Sequence, residues 1–311
     1  MIRKEKLVKD FIIKNKKSQL FILISIFILI LFLTSYEIYS ITQDRETVRR
    51  RVETMDSYVS SLDKDLSRLL YVFGFRFLFV SQKYIIENGK YMNDVTDIFQ
   101  EAFFNSTFYG NQSDILEGAG FEGIVEAVNN NAGKINLEVN ITTINVMITQ
   151  EDPWHVAITF SVNLTVKDKS EIASWTKQEN VTAYVSIEQF EDPFFVINSG
   201  GKVTRKINKT IYGFENIVNL SNHLNNDNYI ANSDAPSFLK RLEGNFSADV
   251  NGVESFVDLQ EFSDQGISTR DKSVVDHVYF SIIDPASCRI SGMPSWFKID
   301  SEHLVVYNVA C

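Results

Sequence analysis

The stretch "KNKKSQLFILISIFILILFL", residues 14–33, changes within a few positions from a lysine-rich segment to a run of Ile, Leu and Phe. From Leu20 to Leu33 only Ser25 is polar. With the small polar residues that follow, about 17 positions precede the next charge, which is the lower limit for a helix crossing a hydrocarbon core of ~30 Å. The pattern therefore predicts a transmembrane helix over residues 19–36.

Charge is distributed unequally on the two sides of this segment. Residues 1–18 carry seven Lys or Arg and two Asp or Glu, a net of +5, whereas the whole chain has a net charge of −10. By the positive-inside rule, residues 1–18 are a basic cytoplasmic segment and residues 37–311 lie outside the cell. A cleaved secretory signal is disfavoured, because only a poor small-x-small site follows the apolar run. The predicted localisation is the cell membrane, with a single span and most of the chain extracellular.

The composition also bounds the partners of the chain. An acidic body lacks the clustered Lys and Arg that bind a phosphate backbone, so no nucleic acid is expected as a partner. The lipid bilayer is the expected partner of residues 19–36.

Eight Asn-x-Ser/Thr sequons support the same topology, because this motif acts only in a translocated chain. Chance would give about three or four in a chain of this composition, and none of the eight precedes residue 105. The predicted glycosylation sites are Asn105, Asn111, Asn140, Asn163, Asn180, Asn208, Asn219 and Asn245.

After the anchor, apolar residues recur at alternating spacings of three and four, which marks one seam of a helix. The seam consists of Val52, Met55, Val59, Leu62, Leu66, Leu69, Phe73, Phe77 and Val80. The anchor is therefore predicted to continue as a helical stalk over 37–87, with Asn88-Gly89 as its end. The apolar stretch 69–80 is too short for a second membrane span and is predicted to be a buried core helix.

Two shorter helices are predicted over 93–104 and 113–131, with Asn93 and Ser113 as their N-caps. After residue 133 the hydrophobic period changes to two, as in half-buried antiparallel strands. The alternating residues are Ile135, Leu137, Val139 and Ile141, then Val156, Ile158, Phe160, Val162, Leu164 and Val166, then Val181, Ala183, Val185 and Ile187. Three of the sequon asparagines, Asn140, Asn163 and Asn180, fall on the polar phase of these strands.

In the last hundred residues a helix is predicted over 236–242 and strands over 274–281 and 303–309. These patterns together predict an α+β fold: an N-terminal transmembrane helix that continues into a helical stalk, then an extracellular antiparallel β-sheet domain with helices packed on it. The predicted divisions are the cytoplasmic segment 1–18, the transmembrane helix 19–36, the helical stalk and helical subdomain 37–132, the antiparallel sheet 133–210, and a C-terminal α+β extension of the same extracellular domain, 211–311.

Several phrases of the chain resemble an archaeal family of single-anchor surface proteins without assigned function. They are "LSRLLYVFGFRFLF", "QEDPWHVAITFSVNLTV", "FEDPFFVINSGGKV", "DAPSFLKRLEGN" and "SVVDHVYFS". The head of the chain is similar to an archaeal type IV prepilin signal (class III-like), in which a membrane peptidase cuts before the apolar helix. That resemblance implies cleavage between Ser18 and Gln19, and it makes other pilin-like subunits candidate partners through the N-terminal helix.

Motifs that carry catalytic chemistry are missing from the sequence. There is no Walker loop, GxGxxG, HExxH or GxSxG, and the four histidines have no ligand spacing. Asp276-His277 is interpreted as a strand residue beside a solvated carboxylate, and "DVNGVE", 249–254, as too incomplete for a calcium loop. Phe194-Phe195 could form an exposed patch. No catalytic, cofactor-binding or metal-binding residue is assigned.

Cys288 and Cys311 are the only cysteines, and both lie in the part predicted to be outside. An oxidising compartment permits a disulfide between them, which would pin the segment 303–309 at the end of the chain. Two unrelated thiols are the alternative, because two cysteines offer no framework pattern.

Taken together, these features favour a membrane-anchored, N-glycosylated surface protein that is non-enzymatic: a minor pilin, a pilin-like subunit or an adhesin. An anchored extracellular hydrolase with an unrecognised active site is the alternative. A sensor ectodomain ranks last, because about 18 cytoplasmic residues are too few for a signalling domain.

Overall fold

A computed structural model describes the backbone of residues 2–311 and the side chains of residues 20–311. The basic segment 1–18 and the predicted Ser18–Gln19 cleavage site lie outside the part with described side chains. The helices of the described chain are α1 (Ile2–Asn88), α2 (Val95–Asn105), α3 (Phe121–Lys134), α4 (Pro193–Asn198), α5 (Ile217–Asn225), α6 (Phe238–Leu242), α7 (Leu259–Asp264), α8 (Asp276–Phe280) and α9 (His303–Val306). The strands are β1 (Thr107–Phe108), β2 (Asn111–Gln112), β3 (Leu137–Asp152), β4 (His155–Asp168), β5 (Ser174–Ser186), β6 (Ile230–Ala231), β7 (Val253–Glu254), β8 (Ser287–Arg289) and β9 (Lys298–Asp300).

Helix α1 is one uninterrupted helix that passes through two environments. Every side chain from Leu20 to Arg50 is exposed. Arg51 makes the first contact with the folded domain, through Asp168, and Met55 is the first buried residue of the helix. Within the described residues it is the one helix with the length and apolar composition to cross a membrane. The predicted helical stalk is confirmed, but only residues 37–50 stand free of the domain, over ~21 Å at ~1.5 Å per residue, because Arg51 already pairs with Asp168.

The second half of α1, residues 55–88, is a core helix. Leu70, Phe73 and Phe77 have no exposed surface, so the apolar stretch 69–80 is part of a core helix as predicted. Only one face of it is buried, however, because Tyr71, Val72, Phe75 and Phe79 are exposed. The absence of proline before Pro153 allows this length. The helix ends at Asn88 as predicted, and Gly89 follows in the left-handed conformation with φ of 60°.

Three long antiparallel strands form the main sheet, in the order β3-β4-β5. The predicted strands are confirmed and extend further than the alternating residues, because two tight hairpins continue the pairing out to Asp152↔His155 and Lys167↔Ser174. One face of β4 and β5 packs against α1, where Gly74 lies directly over Ile158 and Val185. Helix α3 packs against β3.

The two short helices after α1 begin later than predicted. The N-cap of α2 is Asp94, whose side chain accepts a hydrogen bond from the Asp97 amide, and not Asn93. Residues 113–120 form turns, and α3 begins at Phe121. Gly118 accounts for the later start of α3. Its φ of 67° is incompatible with a helix running from Ser113 through this position.

Residues 187–311, here called the C-terminal lobe, consist of short helices, two short strand pairings (β6-β7 and β8-β9) and three isolated β-bridges. The predicted helix 236–242 is confirmed by α6. Buried apolar side chains form one continuous cluster from Met55 on α1 through the sheet to Tyr307 near the end of the chain. The lobe therefore shares its core with the helix and the sheet.

Two strand predictions in this lobe are wrong. The segment 274–281 contains the one-turn helix α8, and the segment 303–309 contains the one-turn helix α9. Every side chain from Lys272 to Tyr279 is buried, so the alternation of polar and apolar residues does not report two faces of a strand. The suggested exposed patch at Phe194-Phe195 is also wrong, because both rings are fully buried in α4.

Candidate functional site: a buried histidine and carboxylate cluster

The sequon asparagines are at the surface or close to it. The exposed members are Asn105, Asn111, Asn140, Asn163, Asn180 and Asn245, and the half-buried members are Asn208 and Asn219. The Nδ2 atom of Asn219, the atom to which a glycan would be attached, donates a hydrogen bond to the Gly213 carbonyl at 2.7 Å. The three strand asparagines have the exposure that the strand phase predicted.

Cys288 and Cys311 form the disulfide that the sequence predicted, with a Cα–Cα distance of 5.6 Å. The bond joins β8 to the last residue of the chain. Strand β8 pairs with β9 through Cys288↔Ile299. The disulfide thus connects the chain end after α9 to the small sheet that precedes it.

Three short elements of the C-terminal lobe bring a carboxylate and two histidines together. Glu254 ends β7, His277 lies on α8, and His303 begins α9. The Nε2 atoms of the two histidines lie 3.2 Å and 3.1 Å from the same Glu254 oxygen, Oε2. Glu254 has no exposed surface, and the histidines expose 8% and 2% of theirs. We call these three residues, with Asp300, the Glu254 cluster.

Asp300 fixes the orientation of the His303 ring. It accepts a hydrogen bond from His303 Nδ1 at 2.7 Å, and its other oxygen accepts one from the Ser273 hydroxyl at 2.6 Å. With both ring nitrogens facing carboxylates, His303 is held as an imidazolium in the absence of any other ligand. Burial alone would lower the pKa of His303, but the hydrogen bonds to Asp300 and Glu254 raise it to about 10.

Polar atoms without a partner surround the other side of Glu254. Its Oε1 atom and the Tyr307 hydroxyl are both buried and make no hydrogen bond. Burial and the neighbouring Glu254 carboxylate raise the pKa of Tyr307. Both ring nitrogens of His223 are likewise buried without a partner, against the edges of Phe256 and Phe214. Unsatisfied buried groups of this kind are rare and call for an explanation.

A second buried network adjoins the Glu254 cluster. Arg241 on α6 donates hydrogen bonds to Asp192 and to Asp276, and the Tyr229 hydroxyl donates to Asp192 at 2.9 Å. All four residues are buried. Burial, together with the nearby Asp276 charge, raises the pKa of Asp192 in spite of Arg241. We call this set the Arg241 network; the Asp276–His277 peptide connects it to the Glu254 cluster.

The sequence-based interpretation of Asp276-His277 is therefore corrected. Asp276 is fully buried and paired with Arg241, and His277 contacts Glu254. The interpretation of "DVNGVE" also changes, because its two carboxylates go to different places: Asp249 pairs with Lys240 at the surface at 3.1 Å, while Glu254 turns inward. The sequence offered one signal for the cluster, which is a lone carboxylate in the largely apolar "GVESFV".

The four histidines have separate roles that their spacing in the sequence did not indicate. His277 and His303 meet at Glu254, His223 packs among aromatic rings nearby, and His155 pairs with Asp152 at 3.0 Å at the surface. The Glu254 cluster offers two imidazoles and a carboxylate, which are ligand types that suit Zn²⁺ and similar ions. The same groups can also form a closed network of charged hydrogen bonds.

Comparison with protein-family models, curated proteins and solved structures gives no match.

Proposed function

We propose that the chain is a membrane-anchored, N-glycosylated cell-surface protein that is non-enzymatic, of the kind represented by a minor pilin, a pilin-like subunit or an adhesin. The observation that carries the proposal is the continuity of α1. A single helix runs from the exposed apolar segment through the free residues 37–50 and into the core of the domain. A domain built on its anchor in this way is held at a fixed distance from the bilayer.

Two features of the sequence support the outward placement of this domain. The +5 segment before the apolar run favours a cytoplasmic N-terminus. Six of the eight sequon asparagines are exposed, as glycan attachment requires.

Topology is tested by adding protease to intact cells and following the full-length protein. The expected result is digestion of the body, with cleavage in the free segment 37–50, where the exposed helix has no tertiary contacts to protect it. Full protection of the body on intact cells, with digestion after lysis, would contradict the outward placement. Mass spectrometry of peptides containing Asn140, Asn163 and Asn180 tests the glycans in the same preparation.

Filament assembly is tested separately, by shearing cells and probing the released fibres for the protein. A pilin-like subunit is expected in the sheared fraction, and its N-terminus is expected at Gln19 if the host has a prepilin peptidase. An intact Met1 terminus would leave only the plain signal-anchor form. A protein that stays with the membrane after shearing would favour an anchored adhesin over a subunit.

An anchored hydrolase is the second candidate, and the meeting of His277 and His303 at Glu254 is the observation that favours it. Against it stands the burial of all three residues, which leaves a substrate little access. A peptidase or esterase activity of the purified protein that is lost in His277→Gln and kept in His155→Gln would favour this candidate.

A further inference from the structure

We propose that Glu254, His277 and His303 bind one divalent transition-metal ion of the Zn²⁺ type, which ties three segments of the C-terminal lobe together. The site is independent of the proposed surface function, and its failure would leave that function untouched. The ligands come from β7, α8 and α9, which are separated in the sequence by 23 and 26 residues, and one ion would fix their relative positions.

The spacing of the ligand atoms fits a tetrahedral ion. Metal–nitrogen and metal–oxygen bonds of about 2.0–2.2 Å place neighbouring ligands about 3.3–3.6 Å apart at the tetrahedral angle, so a small outward shift of the ligands would admit the ion. The two imidazole Nε2 atoms lie 3.2 Å and 3.1 Å from Glu254 Oε2. All three ligand atoms lie within 4.8 Å of one another.

The outer shell of the site is already in place. His303 donates its Nδ1 hydrogen to Asp300, which leaves Nε2 as the atom directed to the ion, and Ser273 in turn holds Asp300. Asn232 donates to the coordinating Glu254 oxygen at 2.8 Å. Partners of this kind orient metal ligands and set their tautomer.

Glu254 Oε1 supplies an independent observation. It is a fully buried carboxylate oxygen with no hydrogen-bond partner, while three nitrogens crowd the other oxygen of the same group. In a purely hydrogen-bonded network, one of these nitrogens or the unpartnered Tyr307 hydroxyl nearby would be expected to donate to Oε1, because an unsatisfied buried acceptor is costly. An ion that binds the carboxylate through Oε2, or through both oxygens, removes this imbalance.

The charge of the region also favours a cation. Four buried carboxylates lie in the two adjoining networks, on Asp192, Glu254, Asp276 and Asp300. The guanidinium of Arg241 opposes them, and without a metal the imidazolium of His303 does as well; a divalent ion that replaces the Nε2 proton of His303 adds one further positive charge. Uncompensated buried charge is strongly unfavourable. A divalent ion at the Glu254 cluster compensates the two carboxylates that lie farthest from Arg241 in the hydrogen-bond network.

Burial indicates that the ion has a structural role. Glu254 is inaccessible, and only His277 has appreciable exposure, at 8%. The ligands tie α9 to β7, while the disulfide ties the end of the chain after α9 to β8. Small elements such as α8 and α9, each about one turn long, gain most from such links because they have little stability of their own.

The first experiment uses full-length protein in detergent, treated with a chelator, desalted and kept free of reductant so that the disulfide stays closed. Metal content after reconstitution with Zn²⁺ is expected to be one ion per chain. At a hundredfold excess of Zn²⁺ over its Kd, Tm is expected to rise by about 5–10 °C. Ca²⁺ and Mg²⁺ are expected to leave Tm unchanged, because imidazole ligands do not suit them.

The second experiment compares His277→Gln and His303→Gln with the control His155→Gln, which changes a carboxylate-paired histidine away from the site. Loss of a ligand is expected to weaken Zn²⁺ binding by more than about a hundredfold, since loss of an outer-shell partner alone weakens it by about 10–100-fold. The control is expected to bind like the wild type. Asp300→Asn, an outer-shell change, is expected to fall between the two.

If a variant does not fold, the site can still be tested in the wild type with Co²⁺. Co²⁺ bound at the site would give the visible absorption of a tetrahedral complex. Wild-type protein that takes up no stoichiometric ion, and whose Tm does not respond to millimolar Zn²⁺, would overturn the proposal. Folded His277→Gln and His303→Gln proteins that bind Zn²⁺ as tightly as the wild type would overturn it equally. In either case the Glu254 cluster is a closed hydrogen-bonded network.

Discussion

Arg241 and Asp276 form a two-pronged ion pair in the interior, with Nη1–Oδ2 at 3.0 Å and Nη2–Oδ1 at 3.2 Å and no exposed surface on either side chain. The same guanidinium binds Asp192, 49 residues away in the sequence. Arg241 thus connects α4, α6 and α8 through one planar group. A buried ion pair of this kind contributes little net stability to the protein. Removing one partner is nevertheless strongly destabilising, because it leaves an uncompensated charge in the core.

Arg241→Met is therefore expected to destabilise the protein by about 3–5 kcal/mol, because two carboxylates lose their cation in the core. Denaturant unfolding of the full-length protein in detergent measures the change. Arg49→Ala is the matched control, since Arg49 pairs with Glu53 on the exposed part of α1 and should cost less than about 1 kcal/mol. Equal stabilities of the two variants would show that the Arg241 network is not buried as described.

Replacing His223, in contrast to replacing Arg241, is expected not to destabilise the protein. Its ring is fully buried among Phe214, Phe256 and Tyr307, and neither nitrogen has a partner. Desolvation of a polar group without compensation is unfavourable. We expect His223→Leu to be neutral or stabilising at pH 8, by up to about 1 kcal/mol, as measured by denaturant unfolding. A loss above about 2 kcal/mol would mean that His223 has a polar partner that this packing does not show.

The pH dependence of the same variant gives a second prediction about this ring. Burial lowers the pKa of His223 to about 4, with the Glu254 charge opposing the shift. As the pH falls, His223 is protonated in the unfolded chain before it is protonated in the folded protein. The free energy of unfolding is therefore unaffected by this ring above pH 6.5 and decreases as the pH falls from 6.5 towards 4. The wild type should lose about 3 kcal/mol more than His223→Leu over that range. Parallel stability curves for the two proteins would contradict it.

The sequence predicted the long elements well for a physical reason. The seam from Met55 to Val80 and the alternation in β4 each arise because one face of the element is buried and the other is not. A pattern that repeats over many residues identifies both the type of element and its buried face. That is why the course of α1 and all three strands of the main sheet could be predicted, while the end of α1 at Asn88 followed from the stop signal Asn88-Gly89.

The candidate site could not be predicted in the same way. Glu254, His277 and His303 lie on elements of two to five residues, which are too short for a period to distinguish a helix from a strand, and the segments of Glu254 and His277 are also buried on all sides. Their meeting depends on long-range packing across 49 residues of sequence. The local pattern around Asp276-His277 indicated a solvated strand, and only the tertiary structure shows a buried carboxylate.

Gly74 provides a test of the contact between α1 and the sheet. A Cβ at this position would lie 2.9 Å from Val185 Cγ2 and would also overlap the Ile158 side chain. Gly74→Ala is expected to destabilise by about 1–3 kcal/mol through overpacking, in spite of the better helix propensity of Ala.

The control for Gly74 is Gly133→Ala, in the last turns of α3, where an added Cβ meets nothing within 4 Å. This change should be neutral or stabilise by about 0.5–1 kcal/mol. Thermal unfolding of both variants gives the comparison. If Gly74→Ala is as stable as Gly133→Ala, the close packing of α1 on β4 and β5 is refuted.

The disulfide supports the last prediction. Cys288 and Cys311 close a loop with a sequence separation of 23 residues, which in the chain-entropy model stabilises the folded state by about 3 kcal/mol. Cys288→Ser and Cys311→Ser should each lower Tm by about 6–12 °C, and the double variant should cost no more than either single one, because each change removes the same bond. Thermal unfolding without reductant measures this, and reduced wild type should match the variants. Titration of two free thiols in denatured, unreduced wild type would rule the bond out, and additive effects of the two substitutions would show that each cysteine stabilises the lobe by separate packing.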